Sequence, residues 1–196
     1  NEGFLETAVL RENVVKLARM IGYTPKSARS ARTVVDISVQ TAFPYPKSVT
    51  IAAGLVLNYT GLDNNNFVFS IPTDTSQSVD SLTGIATFSN AVLFEGLFLT
   101  DTFVKDTSQR QRFILTNDKV DTTSMIVEVT SGTITEKYLQ ATDITKIDAT
   151  SKVFFLEESE YQIPEILFGD GVIGKALANG DVVTVKYTTS AGIGAN

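Results

Sequence analysis

The residues best able to do chemistry in this sequence form a glycine-rich run near its end. It reads Gly169-Asp170-Gly171-Val172-Ile173-Gly174-Lys175-Ala176 and matches both G-x-G-x-x-G and G-x-x-x-x-G-K. Both patterns cradle phosphates, because glycines let backbone N–H groups approach the ligand and a following helix N-terminus favours negative charge. The run is therefore a candidate nucleotide site.

The surroundings of the run predict a structural turn instead. A phosphate loop opens a helix of about ten residues or more, whereas Asn-Gly, a strong hairpin signal, follows soon after Lys175. Ala176 also stands where a Ser or Thr would hold magnesium. We interpret the segment as a tight turn between a strand over 164–168 and a return strand over 181–188. Its turn residues are Gly169, Asp170, Gly171, Gly174, Asn179 and Gly180.

Two other clusters carry oxygen ligands. Residues 63–66 read DNNN and offer oxygens to a hard cation, but they lack the alternating spacing and terminal Glu of a calcium loop. Residues 157–160 read EESE and offer paired carboxylates, yet neighbouring residues point in different directions and catalysis requires geometry first. We expect a solvated turn at the first cluster and solvated carboxylates at the second.

Composition narrows the chemistry further. The sequence contains no His and no Cys, which removes the commonest general base, the commonest metal ligand and any thiolate nucleophile. Serine–histidine and zinc hydrolysis are excluded within this chain, while carboxylate-only chemistry of the glycosidase kind stays open. We expect no enzymatic activity, no cofactor and no small-molecule substrate.

Charge and hydropathy argue against two classes of partner. The net charge is −6, whereas binding a phosphate backbone needs a concentrated basic face. The densest basic stretch, with Lys26, Arg29 and Arg32, lies in a Ser/Ala-rich segment and is interpreted as a solvated linker. No apolar run reaches about 18 residues, so no membrane span is predicted.

The first 22 residues predict an amphipathic helix. Leu10, Val14, Leu17 and Ile21 recur at the spacing of one helical stripe. Gly22 stands at the expected C-cap and Pro25 follows it, so the helix ends there and 23–32 form a linker. The stripe packs either on the adjacent β domain or on another subunit. The second hypothesis makes its four residues candidate subunit-interface residues.

From residue 33 the apolar period changes to two, which is typical of half-buried strands. Strands are predicted at 33–40, 48–52, 55–59, 67–71, 85–89, 113–115, 124–130, 153–157, 161–168 and 181–188, with one or two more in 91–104. Residues 131–152 are predicted to hold at most a short helix. The fold class is mainly β with one N-terminal amphipathic helix. The antiparallel β region covers 33–196, with 33–117 and 118–196 as candidate subdomains.

Three segments together resemble a known family. Residues 1–25 read NEGFLETAVLRENVVKLARMIGYTP, and residues 120–129 read VDTTSMIVEV. Residues 165–175 read EILFGDGVIGK, followed by NGDVV at 179–183 and GIGAN at 192–196. This pattern resembles the baseplate J-like family of contractile-tail proteins, which includes the large wedge proteins of T-even-type phage baseplates. The third segment is the most specific, and residues 40–110 match only by strand pattern and by Phe94-Glu95-Gly96.

The resemblance implies an assembly role. Such proteins build wedges around the hub of the virion tail baseplate, after assembly in the host cytoplasm, and reorganise when the tail contracts. The implied partners are other copies of the chain, a smaller wedge protein and other baseplate and sheath-proximal proteins, with no nucleic acid and no membrane. Family members are usually longer. Because the sequence starts without Met inside the predicted helix and stops straight after a strand, we expect a fragment of a larger multidomain chain.

Two alternatives stay open. A receptor- or glycan-binding tail module needs an aromatic platform on loops, for which Tyr45, Tyr59 and Tyr161 are candidates, although the sequence has no Trp. A polysaccharide-degrading tail protein would use carboxylates alone. A glycan array tests the first alternative, and activity on envelope glycans tests the second.

Overall fold

The computed structural model describes residues 7, 9, 13, 14, 17, 27–61, 64–108, 111–159 and 163–192. The described residues form thirteen strands and one short 3-10 helix. The prediction of a mainly β, antiparallel fold is therefore confirmed. None of the described residues belongs to a helix long and apolar enough to cross a membrane.

The strands follow the period-two pattern of the sequence closely in most places. They are β1 (Arg32–Gln40), β2 (Ser48–Ile51), β3 (Val56–Thr60), β4 (Asn66–Ser70), β5 (Thr75–Ser78), β6 (Ile85–Glu95), β7 (Phe98–Val104), β8 (Phe113–Ile114), β9 (Val120–Ser131), β10 (Ile134–Gln140), β11 (Val153–Glu158), β12 (Pro164–Phe168) and β13 (Val182–Thr189). The predicted 91–104 run divides between β6 and β7, and Gly96 separates them with a φ of 100°.

The N-terminal helix is not supported by the structure, since no α-helix is among the described elements. Leu10 and Ile21 lie outside the described residues. Val14 and Leu17 are described, are half-buried and have helical backbone, as does Asn13. These three residues alone do not make a helix among the described elements, so the helix and its stripe stay a prediction. The short helix allowed in 131–152 is the 3-10 turn Ile144–Lys146.

The chain divides into two compact units that alternate along the sequence. Unit 1 takes its described residues from 1–27, 101–122 and 126–185, and unit 2 from 28–100, 123–125 and 186–196. The sequence suggested consecutive subdomains, 33–117 and 118–196. The contacts instead interleave the two units, because β7, β9 and β13 each contribute residues to both.

Unit 1 takes its strands from a seven-stranded sheet in the order β7-β13-β9-β10-β11-β12-β8. Its pairs β9–β10, β11–β12 and β12–β8 are antiparallel, while β10–β11 is parallel. Its core consists of buried apolar side chains contributed by strands that are distant in sequence. They are Phe113, Leu115, Val120, Val127, Val129, Tyr138, Phe154, Ile166, Val183 and Val185.

Unit 2 contains a four-stranded antiparallel sheet in the order β1-β6-β4-β3 and a two-stranded sheet, β2-β5. Alternate residues of β1 point into the core: Val35, Ile37 and Val39 pack on it, while the residues between them are exposed. The buried cluster itself consists of Ile51, Ile71, Ala86, Phe88 and Leu93. This is the half-buried strand that the alternation in 33–40 predicts.

Candidate functional site: the glycine-rich turn of unit 1

The aromatic residue just before the glycines anchors the turn. The Phe168 ring makes edge-to-face contacts with Phe113, at 5.3 Å between centroids, and with Tyr138, at 5.6 Å. Phe113 and Tyr138 are themselves almost fully buried. Such aromatic pairs are favourable beyond the area they bury, so the end of β12 is fixed before the turn begins.

The glycines of the turn permit a very close backbone approach. A side chain at position 169 would overlap the backbone of Gly174, since an added Cβ there lies closer to the Gly174 Cα, carbon and oxygen atoms than van der Waals contact allows. Gly171 and Gly174 have φ values of 88° and 84°, which L-residues rarely adopt. A parallel bridge between Gly169 and Ala176 closes the loop. These positions require glycine for steric and conformational reasons.

Asp170 stabilises the turn through its carboxylate. Its Oδ1 accepts hydrogen bonds from the amides of Val172 and Ile173, both at 2.9 Å. The Ile173 amide, followed by that of Val172, holds the pKa of the Asp170 carboxyl below its ordinary value, because these donors favour the charged form. The Asp170 side chain therefore stabilises the backbone of its own turn.

The remaining amides of the turn are also engaged within the protein. Gly171 donates to the Gly174 carbonyl at 3.0 Å, Gly174 to the Asp148 carbonyl at 2.9 Å, and Lys175 to the Ser151 carbonyl at 2.8 Å. A phosphate cradle needs amides that point at the ligand. Here every amide from 171 to 175 donates to a protein oxygen, and no helix follows among the described residues. The arrangement is that of a structural turn.

The lysine of the motif is part of a surface ion pair. Lys175 Nζ lies 3.1 Å from Glu136 Oε2, and Lys152 Nζ lies 2.8 Å from Glu136 Oε1. These lysines, Lys152 foremost, lower the pKa of Glu136, and Glu136 raises the pKa of Lys175. The Lys175 charge is thus directed at a carboxylate of β10 that no sequence motif indicates.

The Asn-Gly pair forms a second turn, held by the segment after β7. Asn179 Oδ1 accepts from the Thr107 amide at 3.0 Å, and the Gly180 amide donates to the Lys105 carbonyl at 2.8 Å. Gly180 has a φ of 85°. Asp181 Oδ2 accepts from the Ala178 amide at 2.8 Å, which closes the turn. All six predicted turn residues therefore lie in turns or at their closing bridge.

The topology around these turns differs from the predicted one. The strands on both sides exist, as β12 and β13, but β13 does not return beside β12. Three strands, β9, β10 and β11, lie between them in the sheet. The run is therefore a connection across the sheet, because β11 and β8 occupy both sides of β12.

The other candidate clusters have structural explanations where they are described. Asn64 lies in a turn with a φ of 61°, and its amide donates to the Gly61 carbonyl at 3.0 Å; Asp63 lies outside the described residues. Glu160 and Tyr161 also lie outside them. Among the described residues, no group of three or more acidic side chains could hold a metal ion.

The described tyrosines that a glycan-binding module would use are partly exposed. The Tyr45 ring packs edge-to-face on Phe43 at 5.6 Å, while Tyr59 on β3 is 56% exposed. Sequence reasoning missed the residues that hold the glycine-rich turn in place: Glu136, Asp148 and Ser151. They lie in the polar stretch 131–152, whose composition carries no signal for these contacts.

No protein-family model matches the sequence, and no curated protein matches it.

Proposed function

We propose that the chain is a non-enzymatic, structural component of a contractile phage tail, within a baseplate wedge similar to the large wedge protein of T-even-type phages. The observation that carries the proposal is the third segment of the resemblance, 165–183. Its Phe, Gly, Asp, Lys and Asn residues all serve the framework of unit 1. In the proposal, the residues that resemble the family therefore serve architecture and not catalysis.

The contacts of this segment support a mechanical role. Phe168 joins the aromatic core, Lys175 joins β10, and Asn179 joins the segment after β7. The motif therefore ties together parts of unit 1 that are far apart in sequence. A wedge that holds a tail extended and reorganises on contraction needs units that stay folded under load. In the proposal the chain acts in the virion baseplate without a cofactor.

Localisation tests the proposal directly. Antibody fragments raised against the chain are added to intact particles and imaged by electron microscopy. We expect label at the baseplate, at positions repeated around the hub. Label confined to fibre tips would instead favour the receptor- or glycan-binding module, and label on the head or on no particle would overturn the proposal.

The proposal includes the N-terminal helix as a subunit contact. Its predicted stripe, Leu10, Val14, Leu17 and Ile21, would pack on another subunit, either a second copy or the smaller wedge protein. Val14→Asp places a charge at the middle of the stripe. We expect it to abolish wedge assembly while the melting temperature of the chain changes little.

Lys16→Glu is the matched control, because it changes charge on the opposite side of the predicted helix and should leave assembly intact. If Val14→Asp unfolds the chain, the stripe is an internal core, since a buried unpaired carboxylate is strongly destabilising. Normal assembly with a stable Val14→Asp chain would remove the helix from the interface.

A further inference from the structure

Strand β1 is an edge of the four-stranded sheet, and its outward side has a regular row of backbone groups. Among the described residues its only strand partner is β6. The Ala31 carbonyl accepts from the Glu95 amide, and the Thr41 amide donates to the Gly84 carbonyl. Odd-numbered residues therefore bond to β6, since hydrogen-bonding direction alternates along a strand. The backbone N–H and C=O groups of the even-numbered residues point away from the sheet.

The even-numbered side chains of β1 are exposed as well, and their charges are arranged in a simple way. They are Arg32, Val34, Asp36, Ser38 and Gln40. Arg32 and Asp36 are the only charged residues of the strand, and they have opposite signs on either side of Val34. Val34 is 58% exposed and lies opposite Val92 of β6, which is 45% exposed.

An exposed edge strand pairs readily with another chain unless its shape or charge prevents it. The edge of β1 has one irregularity, a register shift between Val35 and Ile37, where Asp36 Oδ1 accepts from the Asn90 amide at 2.8 Å. Asn90 has a φ of 57°. The shift places the extra residue in β6, where Ser89 and Asn90 both lie between Ala91 and Phe88. The alternation of β1 itself is unbroken from 32 to 36, so this end of the edge is the part suited to a partner strand.

We propose that two copies of the chain associate through β1, antiparallel, with Val34 of each copy at the twofold axis. In this register Arg32 of each copy lies opposite Asp36 of the other. The outward backbone groups of 32, 34 and 36 then form hydrogen-bonded pairs, each of which exchanges two bonds. Opposite charges directly across strands stabilise such a pair.

The neighbouring twofold registers are less favourable. An axis at Asp36 places the two Asp36 carboxylates opposite each other, and like charges directly opposite are destabilising. An axis at Val35 places Val34 opposite Asp36 and pairs neither charge. The register with Val34 on the axis also gathers Val34 and Val92 of both copies into one apolar stripe across the joined sheets.

The contacts that the two charged residues make with other described residues leave part of each side chain unoccupied. The Arg32 guanidinium lies over the Phe94 ring, 4.6 Å from its centroid, a contact that uses the face of the group and leaves its N–H donors at the edge. Asp36 uses Oδ1 for the Asn90 amide. Both side chains therefore lie on the exposed face of β1 with hydrogen-bonding capacity for a partner strand.

The proposed function includes association between copies of the chain, and the β1 surface proposed for that association rests on it. Sedimentation velocity of the chain from about 1 μM to about 1 mM covers the range of weak association. We expect a dimer that increases with concentration. Val34→Asp places two like charges at the axis and should raise Kd by about tenfold or more. The control Ser38→Asp adds the same charge to the same edge outside the paired stretch and should keep the wild-type Kd.

A mixing experiment tests the register. Arg32→Asp alone creates two pairs of facing carboxylates across the joined strands, and Asp36→Arg alone creates two pairs of facing guanidinium groups. Each variant should therefore lose the dimer. When one strand of each variant pairs with the other, both facing pairs join an Asp to an Arg. We therefore expect the mixture to form a heterodimer that is tighter than either variant's own dimer. Because the mixture contains the same two folded chains, recovery cannot come from a change in folding.

Three results would overturn the inference: a monomer at every concentration, a dimer indifferent to Val34→Asp, or a mixture that does not recover. A dimer indifferent to Val34→Asp leaves self-association in place through another surface. A monomer leaves the baseplate proposal to its localisation test, which does not depend on this surface.

Discussion

The glycine-rich turn of unit 1 and strand β1 of unit 2 use their backbone N–H groups in opposite ways. In the turn, the amides from 171 to 175 all donate to oxygens of the same unit. In β1, every second residue directs its amide and carbonyl away from the sheet. In the segment with the conspicuous motif the backbone donors are already used within the protein. In the segment with ordinary strand composition, half of the backbone groups remain directed outward. A chemical motif therefore indicates function only when its donors remain directed at a ligand.

The largest effect should come from adding a methyl group to the closed turn. Gly169→Ala places a Cβ against the backbone of Gly174, which cannot move without disturbing its hydrogen bond to Asp148. We expect a loss of about 3 kcal/mol or more in the free energy of unfolding, measured by urea denaturation. The control Gly180→Ala has a φ of 85° but nothing within 4 Å of the added Cβ. It should cost about 1–2 kcal/mol, and equal losses in the two variants would contradict the close approach.

The second-largest effect should be a difference in stability between substitutions on the two sides of β1. Ile37 packs on the core cluster of unit 2, so Ile37→Ala should lower the free energy of unfolding by about 2 kcal/mol, the low end for a large-to-small change in a core. Val34→Ala, on the exposed side, should change it by less than about 0.5 kcal/mol at concentrations where the chain is monomeric. Comparable losses from both substitutions would mean that the exposed side is covered within the monomer.

Sequence patterns predicted β1 well because its alternation reflects one buried and one wet face. They missed β5, whose residues are all polar and exposed and which pairs with β2 through its backbone and through a 2.7 Å hydrogen bond between the Thr50 and Ser76 hydroxyls. They also missed β10, where Tyr138 is the only buried side chain. Neither strand has a two-residue apolar period, so composition carries no signal for it.

The candidate site was predictable in part. Positive φ at Gly171, Gly174 and Gly180 follows from turn chemistry that the sequence displays. The position of β13 away from β12 depends on pairings with strands distant in sequence, which local patterns do not encode. For the same reason, the contacts of Lys175 with Glu136 and of Gly174 with Asp148 could not be read from spacing.

The Ser70 hydroxyl is a third case for the comparison, because it is buried and is directed neither at a protein acceptor nor at solvent. It is fully buried and finds no hydrogen-bond partner among the described residues. Ser70→Ala removes that unsatisfied group, so we expect the free energy of unfolding to rise by about 1 kcal/mol. Ser30 is the control, because its hydroxyl contacts Thr188 Oγ1 and the Thr189 carbonyl, both at 3.1 Å. Ser30→Ala should lower stability by about 1 kcal/mol, and the same sign in both variants would show that Ser70 is satisfied.

The smallest effect concerns the charge that closes the turn. Because the amides of Ile173 and Val172 hold the Asp170 pKa below its ordinary value, the carboxylate stabilises the turn above the unfolded pKa. That stabilisation is lost as pH falls through the lower, folded pKa. We expect the Val172 and Ile173 amide signals in NMR spectra to titrate together in acid, with a midpoint below that of an ordinary aspartate. Asp170→Asn keeps an acceptor oxygen and should remove this titration while leaving the turn formed at neutral pH.

Asp80 of unit 2 accepts from the amides of Leu82 and Thr83 in the same way, and the amides of Thr83 and Leu82 lower its pKa, so its turn should behave alike. A midpoint at or above the ordinary aspartate value would mean that the turn is held by its glycines and the Asp148 contact alone.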